Sequence, residues 1–581
     1  MRVRAPQRGA AGSYPVSSIS PMRLDGLIDS KLAGGAGAVE ITGLAYDSRR
    51  VTPGTLFFCV PGFNSDGHEF APQAVRAGAA ALVVERALGL GVPEVVVPSA
   101  RAAMAPVAAR FYGEPARELA LVGVTGTNGK TTTAYLVRAL VEATGVQCGL
   151  LGTVKSVIGG REREVTRTTP EAIDLQADLR AMLDGGDRAC VMEVSSHALE
   201  LGRVAAIGFA AAIFTNLTQD HLDFHASMED YFQAKRRLFV ADGGETGAAP
   251  AAPASVQAPP ASPVYAMPPA VSAINVADPY GRRLAAEVAG ARTFAVDMPA
   301  DYSATDVRCD LGGCAFTLTT PVGVRALTLP MPGQFNVANA LGALATVHAL
   351  GGEHADARRL DALVAALARG VRVPGRFEPV DAGQDFAVVV DYAHTPDSLE
   401  NVLRAARTLV GGADGQGRVV CVFGAGGDRD RGKRPLMGEI ASRLADIVLV
   451  TSDNPRSEDP EQIIGEILDG VVAAGGEADA RHAAGTQAGR GAEHVRALAD
   501  RAAAIDAAIA CARGGDVVVI AGKGHEQGQE FAHARKIPFD DVAVARAALH
   551  AHMHGAATVG DASAAGGATG TDAGRIRVGG R

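Results

Sequence analysis

Short, apolar, β-branched runs alternate along this chain with longer segments whose apolar residues return every three or four positions. GTLFFCV and ALVVE come first, LALVGVTG, RACVMEV and AAIFTNL follow, and FAVVVDY, RVVCVFG, DIVLVTS and DVVVIAG crowd the last third. Each reads as a buried strand. KTTTAYLVRALVEATG, directly after LALVGVTG, has helical spacing, and YFQAKRRLF reads as an amphipathic helix. Strand–helix alternation predicts an α/β protein with parallel sheets joined by right-handed crossovers. In the last third each strand runs into a polar loop: DYAHTPD, GAGGDRDRGKR, DNPRSEDP and GKGHEQGQE. Open α/β sheets bind ligands at that edge, so four such loops predict a binding site. DNPRSEDP, residues 453–460, has two readings. One is a plain helix start, with Ser457 as N-cap and Pro460 in the first turn. The other is an Arg456 that holds something.

At about 150 residues per domain, a 581-residue chain predicts three or four domains. The pattern divides it into blocks at 17–115, 116–370 and 371–554. Tails at 1–16 and 555–581, a Pro/Ala-rich insertion at 243–270 and a Gly/Ala patch near 474–493 are expected to be disordered or peripheral. Hydrophobic residues make up 47%, enough for several cores, and the net charge of -9 argues against a dedicated nucleic-acid binder. The seven cysteines are odd in number and show no CxxC spacing, which fits reduced, buried thiols in a cytoplasm. Cys309 and Cys314, the closest pair, read as ordinary strand residues. No run of about 18 apolar residues predicts a membrane span. The basic start MRVRAPQRGAAGSYP lacks the apolar stretch of a secretory signal. A monomer is the default expectation.

VTGTNGKTT, residues 124–132, places a glycine turn and Lys130 between a strand and a helix. Backbone N–H groups converge at such a helix start and its dipole favours anions, so the segment predicts a phosphate cradle. Lys130 would reach the terminal phosphates and Thr131 would offer its hydroxyl to Mg²⁺. Val124 stands where the strict pattern has its first glycine, so an ordinary strand-to-helix turn stays as the alternative. Nearby, VMEVSSHALE carries Glu193, Ser195 and His197, and TNLTQDHLDFH carries Asp220, His221, Asp223 and His225. Clusters of His and Asp suit zinc. Hard oxygen donors beside a phosphate loop suit magnesium, which is the preferred reading, with ordinary structural histidines left open. Composition alone reads Lys235 as a solvated surface lysine.

Ten motifs appear in a fixed order: GTNGKTT, EVSSHAL, TNLTQDHLDFH, YFQAKRRLF, GQFNVANALGALA, VPGRFE, VVVDYAHTPDSLE, FGAGGDRDRGKRPLMG, DNPRSEDP and AGKGHE. In them the chain resembles the Mur ligases of peptidoglycan synthesis, from about residue 40 to 550. The resemblance implies three domains: a smaller α/β N-terminal uridine-binding domain, a central P-loop ATPase-type parallel sheet and a Rossmann-like C-terminal domain. They would close about hinges near residues 116 and 371. It also implies a reaction. ATP phosphorylates the free carboxylate of a UDP-N-acetylmuramoyl-dipeptide, an amino acid attacks the acyl phosphate, and an amide forms with release of ADP and phosphate.

The site residues follow by similarity. Gly126, Thr127, Asn128, Gly129, Lys130, Thr131 and Thr132 match the ATP loop. Asn336, Asn339, Arg376 and Asp391, with His394 close by, match nucleotide-side positions. Thr131, Glu193 and His221 match Mg²⁺ ligands, and Lys235 matches a lysine carried as a carbamate (N6-carboxylysine), which reverses the surface reading. Lys130, Glu193, His221 and Lys235 form the implied catalytic set. Tyr46, Ser48, Phe63, Asn64 and Ser65 match uridine contacts, and Thr168, Thr169, Ser195 and Arg203 match contacts to the muramoyl-peptide. Leu201, Arg167 and Val542 depart from the family pattern. DNPR marks members that use meso-diaminopimelate, because a guanidinium's forked donors fit its extra carboxylate. Arg429, Asp453, Asn454, Pro455, Arg456, Gly522 and Glu526 would form that pocket, with Glu526 suited to an ammonium group. The alternatives are a relative that adds L-lysine, a folylpolyglutamate synthetase, which should lack the uridine-binding block, and a P-loop switch.

Overall fold

A computed structural model of the chain describes residues 19–29, 36–62, 65–165, 167–241, 268–410, 417–474, 478–479 and 495–564, the last ten for their backbone only. Phe63, Asn64, the first tail, residues 243–267 of the insertion and residues 565–581 lie outside them. The chain divides into two compact units, Met1–Val373 and Pro374–Arg581.

The first unit holds two main sheets. Gly43–Ala45, Thr55–Phe58, Ala79–Val84 and Glu94–Val96 form a four-stranded, all-parallel sheet. The second sheet has eleven strands. Its parallel centre runs Cys148–Leu151, Ala189–Glu193, Ala120–Thr125, Ala211–Phe214, Val271–Asn275, Arg292–Val296 and Tyr302–Asp310. Antiparallel strands finish both edges. Its central strands are apolar throughout because both faces are covered. Along Ala120–Thr125, Val122 and Val124 pack with Leu136 and Leu140 of the helix Lys130–Ala143, while Leu121 joins Met192, Phe214 and Phe232 on the other face. Period-two alternation thus feeds two cores from one strand.

Cys309 and Cys314 depart from the sequence reading. They face each other across the Tyr302–Asp310/Gly313–Thr320 hairpin and form a disulfide, with Cα atoms 4.0 Å apart. The tight Asp310–Gly313 turn sets this register, and sequence spacing alone does not reveal it. The other five cysteines are free thiols.

The second unit is a seven-stranded sheet. Ala387–Asp391, Val517–Ala521, Val419–Phe423, Ile447–Thr451, Val495–Leu498 and Ala478–Asp479 run parallel, with Glu378–Pro379 antiparallel at one edge. All four loops singled out in the sequence leave this sheet at one edge. The helix after DNPRSEDP begins at Pro460, and its cap is Asp459, which accepts from the Glu461 N–H. Ser457 instead donates to Asp428. Asp459 sits directly before the proline that fixes the first turn, so it outcompetes the earlier serine. The final helix, Asp541–Ala564, runs past the expected tail boundary at 555, consistent with its alanine content.

Two loops of this unit are tied by one buried cation. Arg434, with a fully buried side chain, donates to Glu458, Glu466 and the Gly426 carbonyl. Its hydrogen bonds draw the Glu458 carboxyl down to about 2. Removing one partner of a buried pair strands the other. Arg434→Met should therefore cost the second unit about 3 kcal/mol, read as faster amide exchange in Val419–Phe423 and Ile447–Thr451. Because Glu458 is lowered from its ordinary value of 4.5, its contribution is full above pH 4.5 and fades as pH falls toward 2. The stability gap between wild type and Glu458→Gln should close over that window in acid titrations.

Candidate functional site

In the first unit, the strand Ala120–Thr125 ends at Gly126 and the helix begins at Lys130. Gly126 has φ +148°, and a Cβ there would lie 1.9 Å from Thr215 Oγ1; Gly129 has φ +82°, and a Cβ would meet Asn339 Oδ1 at 2.4 Å. Only glycine fits both points. The neighbouring segment Thr215–Thr218 braces the loop. Thr127 N–H donates to the Asn216 carbonyl (2.9 Å), Asn128 N–H to Asn216 Oδ1 (2.8 Å), and Thr215 Oγ1 to the Asn128 carbonyl (2.6 Å). Lys130 Nζ folds back on the loop, donating to the carbonyls of Gly126 (3.0 Å) and Thr127 (2.8 Å). Thr132 is buried in the first turn, and Thr133 Oγ1 donates to Asn339. Asn339 and Asn336, on the helix Gln334–Ala349, are hydrogen-bonded to each other. Asn339 therefore stands against the start of the loop's helix, with Asn336 behind it.

Glu193 closes the neighbouring strand, buried, at the centre of a hydroxyl cluster. It accepts from Thr131 Oγ1 (3.0 Å), Thr153 Oγ1 (3.0 Å) and the Thr153 N–H (2.7 Å). Thr153 Oγ1 also lies within hydrogen-bond distance, 3.1 Å, of Thr168 Oγ1. Thr169 donates to the Glu193 carbonyl and accepts from the Ser195 N–H, and Ser195 caps the helix Ser196–Glu200. Arg203 donates to the Thr169 carbonyl and pairs with Glu171 at 2.9 Å. Arg101 (3.4 Å) and Arg167 (3.9 Å) approach the same carboxylate.

Lys235 is buried, not solvated. Its Nζ donates to the Gly126 carbonyl at 2.9 Å and lies 4.5 Å from the centre of the Tyr231 ring. Burial, and then the Lys130 ammonium, hold it far below the ordinary lysine range. That favours the neutral amine. His221 has a left-handed backbone (φ +54°) and pairs with Asp220 at 3.3 Å, its ring against that of His197. Desolvation pushes the His197 ring down to about 4. Among the described residues no three His, Cys, Asp or Glu side chains gather closely enough to cage a metal. One carboxylate flanked by threonine hydroxyls beside a phosphate-type loop instead suits a hard cation that keeps waters and ligand phosphates in its shell.

Three of the remaining positions in this unit, Tyr46, Ser48 and Ser65, lie on the smaller sheet's side. Tyr46 donates to Asp174 (2.6 Å) and Ser48 to Gln73 (3.1 Å). The Ser65 carbonyl closes a turn with the Gly62 N–H.

In the second unit, Asp453 and Asn454 follow the strand Ile447–Thr451 and meet Lys523 and Glu526 from the loop after Val517–Ala521. Lys523, fully buried, donates to Asn454 (3.0 Å) and Glu526 (2.9 Å) and lies 3.4 Å from Asp453. Asn454 Nδ2 donates to Glu526 at 2.8 Å. Gly522 N–H donates to the Asp391 carbonyl. Pro455 is buried, and Arg456 turns back with φ +50°. Its guanidinium reaches Glu530 (3.1 Å) and the Gly427 carbonyl (2.7 Å). Arg429 and Arg456 both border Gly426, where a Cβ would lie 3.8 and 3.0 Å from them. At the next strand end, Asp391 accepts from the N–H groups of Phe377 and Ala393. Arg376 lies over the Tyr392 ring, and His394 bonds the Tyr392 carbonyl. The sequence reading missed Thr153, Glu171, Lys523 and Glu530. Lys523 and Glu530 lie inside motifs it quoted, but nothing in their spacing marks them as buried or paired.

The chain matches known proteins along most of its length. The family description "Mur ligase family, catalytic domain" matches residues 40–112, "Mur ligase middle domain" matches 124–248 and 265–347, and "Mur ligase, glutamate ligase domain" matches 375–524. A Geobacillus thermodenitrificans protein named UDP-N-acetylmuramoyl-L-alanyl-D-glutamate–2,6-diaminopimelate ligase is 45% identical over 88% of this chain and 96% of its own. One of the same name from Synechococcus elongatus is 46% identical over 88% and 94%. A solved structure of a UDP-N-acetylmuramoyl-L-alanyl-D-glutamate–2,6-diaminopimelate ligase superposes with a TM-score of 0.59 at 30% identity, over 92% of this chain and all of that one. With a phosphate-type loop on one sheet and a cluster of paired charges at the strand ends of another, the chain belongs to the Mur ligase family.

Proposed function

We propose that this protein is an ATP-dependent ligase that adds meso-2,6-diaminopimelate to UDP-N-acetylmuramoyl-L-alanyl-D-glutamate in peptidoglycan precursor synthesis. The observation that carries the acceptor is Arg456, which borders Gly426 together with Arg429 and is tied through Glu530 and Asn454 to Glu526. Diaminopimelate differs from lysine by a distal carboxylate, and a guanidinium edge reads that group in two-point fashion. The names of the relatives agree with this reading.

ATP phosphorylates the peptide carboxylate, leaving ADP. The acceptor's amine then attacks the acyl carbon, and the tetrahedral species expels phosphate to leave an amide. Negative charge grows first on phosphoryl oxygens and then on the oxyanion, so cations aimed there are the main requirement. Gly126 to Thr132 cradle the phosphates, and Lys130 leaves its loop carbonyls to meet them. Asn336, Asn339, Arg376 and Asp391 serve the nucleotide side. Thr131, Glu193, His221 and a carbamate on Lys235 would hold Mg²⁺, which when bound offsets phosphoryl charge. The neutral, buried Lys235 amine is the form that captures CO₂. Tyr46, Ser48, Phe63, Asn64, Ser65, Thr168, Thr169, Ser195 and Arg203 bind the UDP-linked substrate. Residues 17–115, 116–370 and 371–554 are read as the UDP-substrate, ATP and amino-acid domains of a cytoplasmic monomer. No helix among the described residues is long and apolar enough to cross a membrane.

Phosphate release, measured with ATP, Mg²⁺ and the UDP-dipeptide, should appear with meso-diaminopimelate and be at least about ten-thousandfold slower with L-lysine, as when a site built on paired charges meets a substrate lacking one partner. Arg456→Ala should remove most of that preference; a variant that keeps it would overturn the role of Arg456. Release with lysine alone would overturn the acceptor. Removing dissolved CO₂ and bicarbonate should lower activity and restoring them should recover it, whereas Lys235→Arg should be inactive under both conditions. Indifference of the wild type to bicarbonate would count against the carbamate.

A further inference from the structure

We propose that Glu530 is a positioning residue for the acceptor, holding Arg456 by its inner nitrogen so that the outer guanidinium edge faces the incoming carboxylate. The inference rests on the reading of Arg456 as the partner of diaminopimelate's distal carboxylate. Arginine has five N–H donors. Arg456 commits Nε to Glu530 Oε2 at 3.1 Å and one Nη1 hydrogen to the Gly427 carbonyl at 2.7 Å. Three donors are left over, one on Nη1 and two on Nη2, the nitrogens that can meet a carboxylate in two-point fashion. Glu530 makes one contact rather than two, and its side chain is 43% exposed against 22% for Arg456. It orients the guanidinium without consuming those donors.

Glu530 is itself fixed from both sides. Its N–H donates to Asn454 Oδ1 at 2.9 Å, and its carbonyl accepts the Arg456 N–H at 3.0 Å. Asn454 is the residue that also holds Glu526 and receives Lys523. The hairpin Gln529–Phe531/Arg535–Ile537 therefore connects the arginine end of the pocket to its carboxylate end. Its bond to the backbone of Arg456 also helps to keep that residue at φ +50°, a conformation a non-glycine residue adopts only when its surroundings enforce it. Charge points the same way: the Glu530 carboxylate is the one acidic side chain that the Arg456 guanidinium bonds among the described residues.

The test is steady-state phosphate release by the full-length enzyme with meso-diaminopimelate varied. Glu530→Ala should raise KM for diaminopimelate about tenfold, the effect of losing an orienting charge-assisted hydrogen bond. Its kcat should stay within about twofold and its KM values for ATP and the UDP-dipeptide should not move. Glu530→Gln, which keeps an accepting oxygen, should recover part of the loss. In an Arg456→Ala background, Glu530→Ala should have no further effect on KM. An unchanged or lowered KM in both Glu530 variants would overturn the inference, a lowered one by showing that Glu530 competes with substrate. A tenfold loss that persists without Arg456 would overturn it too. If the wild type uses lysine and not diaminopimelate, the acceptor reading fails first and the inference falls with it; wild-type use of diaminopimelate with unmoved variants sinks the inference alone.

Discussion

A charge taken out of water must find a partner, and that demand organises both candidate sites. Lys235, Arg434 and Lys523 are each almost wholly buried. Each is met by oxygens on loops that leave a parallel sheet at one edge. Lys235 holds the Gly126 carbonyl, Arg434 ties the Gly426 loop to Glu458, and Lys523 gathers Asp453, Asn454 and Glu526. The sheets fix where the strands end, and the buried cations fix where the loops go. Sites of this kind are costly to leave half-paired, which is why their geometry is specific.

The two units arrive at this by the same route. In each, strands buried on both faces give a rigid floor, and polar residues gather beyond the last apolar position of a strand. Glu193 follows Met192, Asp391 ends the run Val388–Val390, and Asp453 comes two residues after Thr451. Apolar patterning therefore decides where chemistry is allowed to start, and loop chemistry decides what it is.

Much of this was legible in the chain. Every strand read from an apolar run is present, because continuous β-branched stretches between turn signals have few other solutions. The phosphate-type loop was legible because its glycines are demanded by close approach to Thr215 and Asn339. What stayed hidden depends on contacts remote in sequence. Lys235 looks like a surface residue on its own helix, and only the loop around Gly126 makes it a buried amine. Glu171 gathers Arg101 and Arg203 from separate segments, and Cys314 meets Cys309 only through the hairpin register. Local rules also compete at short range, as when Asp459 rather than Ser457 caps its helix.

The double tie between Arg456 and Glu530, backbone to backbone and side chain to side chain, has an evolutionary consequence. A lineage that replaced Arg456 alone, in moving toward an acceptor without a second carboxylate, would keep the backbone tie but leave the Glu530 carboxylate without its guanidinium partner and the Gly427 carbonyl without its donor. Replacing Glu530 alone would loosen a guanidinium still needed for the old acceptor. Each single step carries a penalty that the pair together avoids, so a change of acceptor along this path would favour the two positions changing in concert.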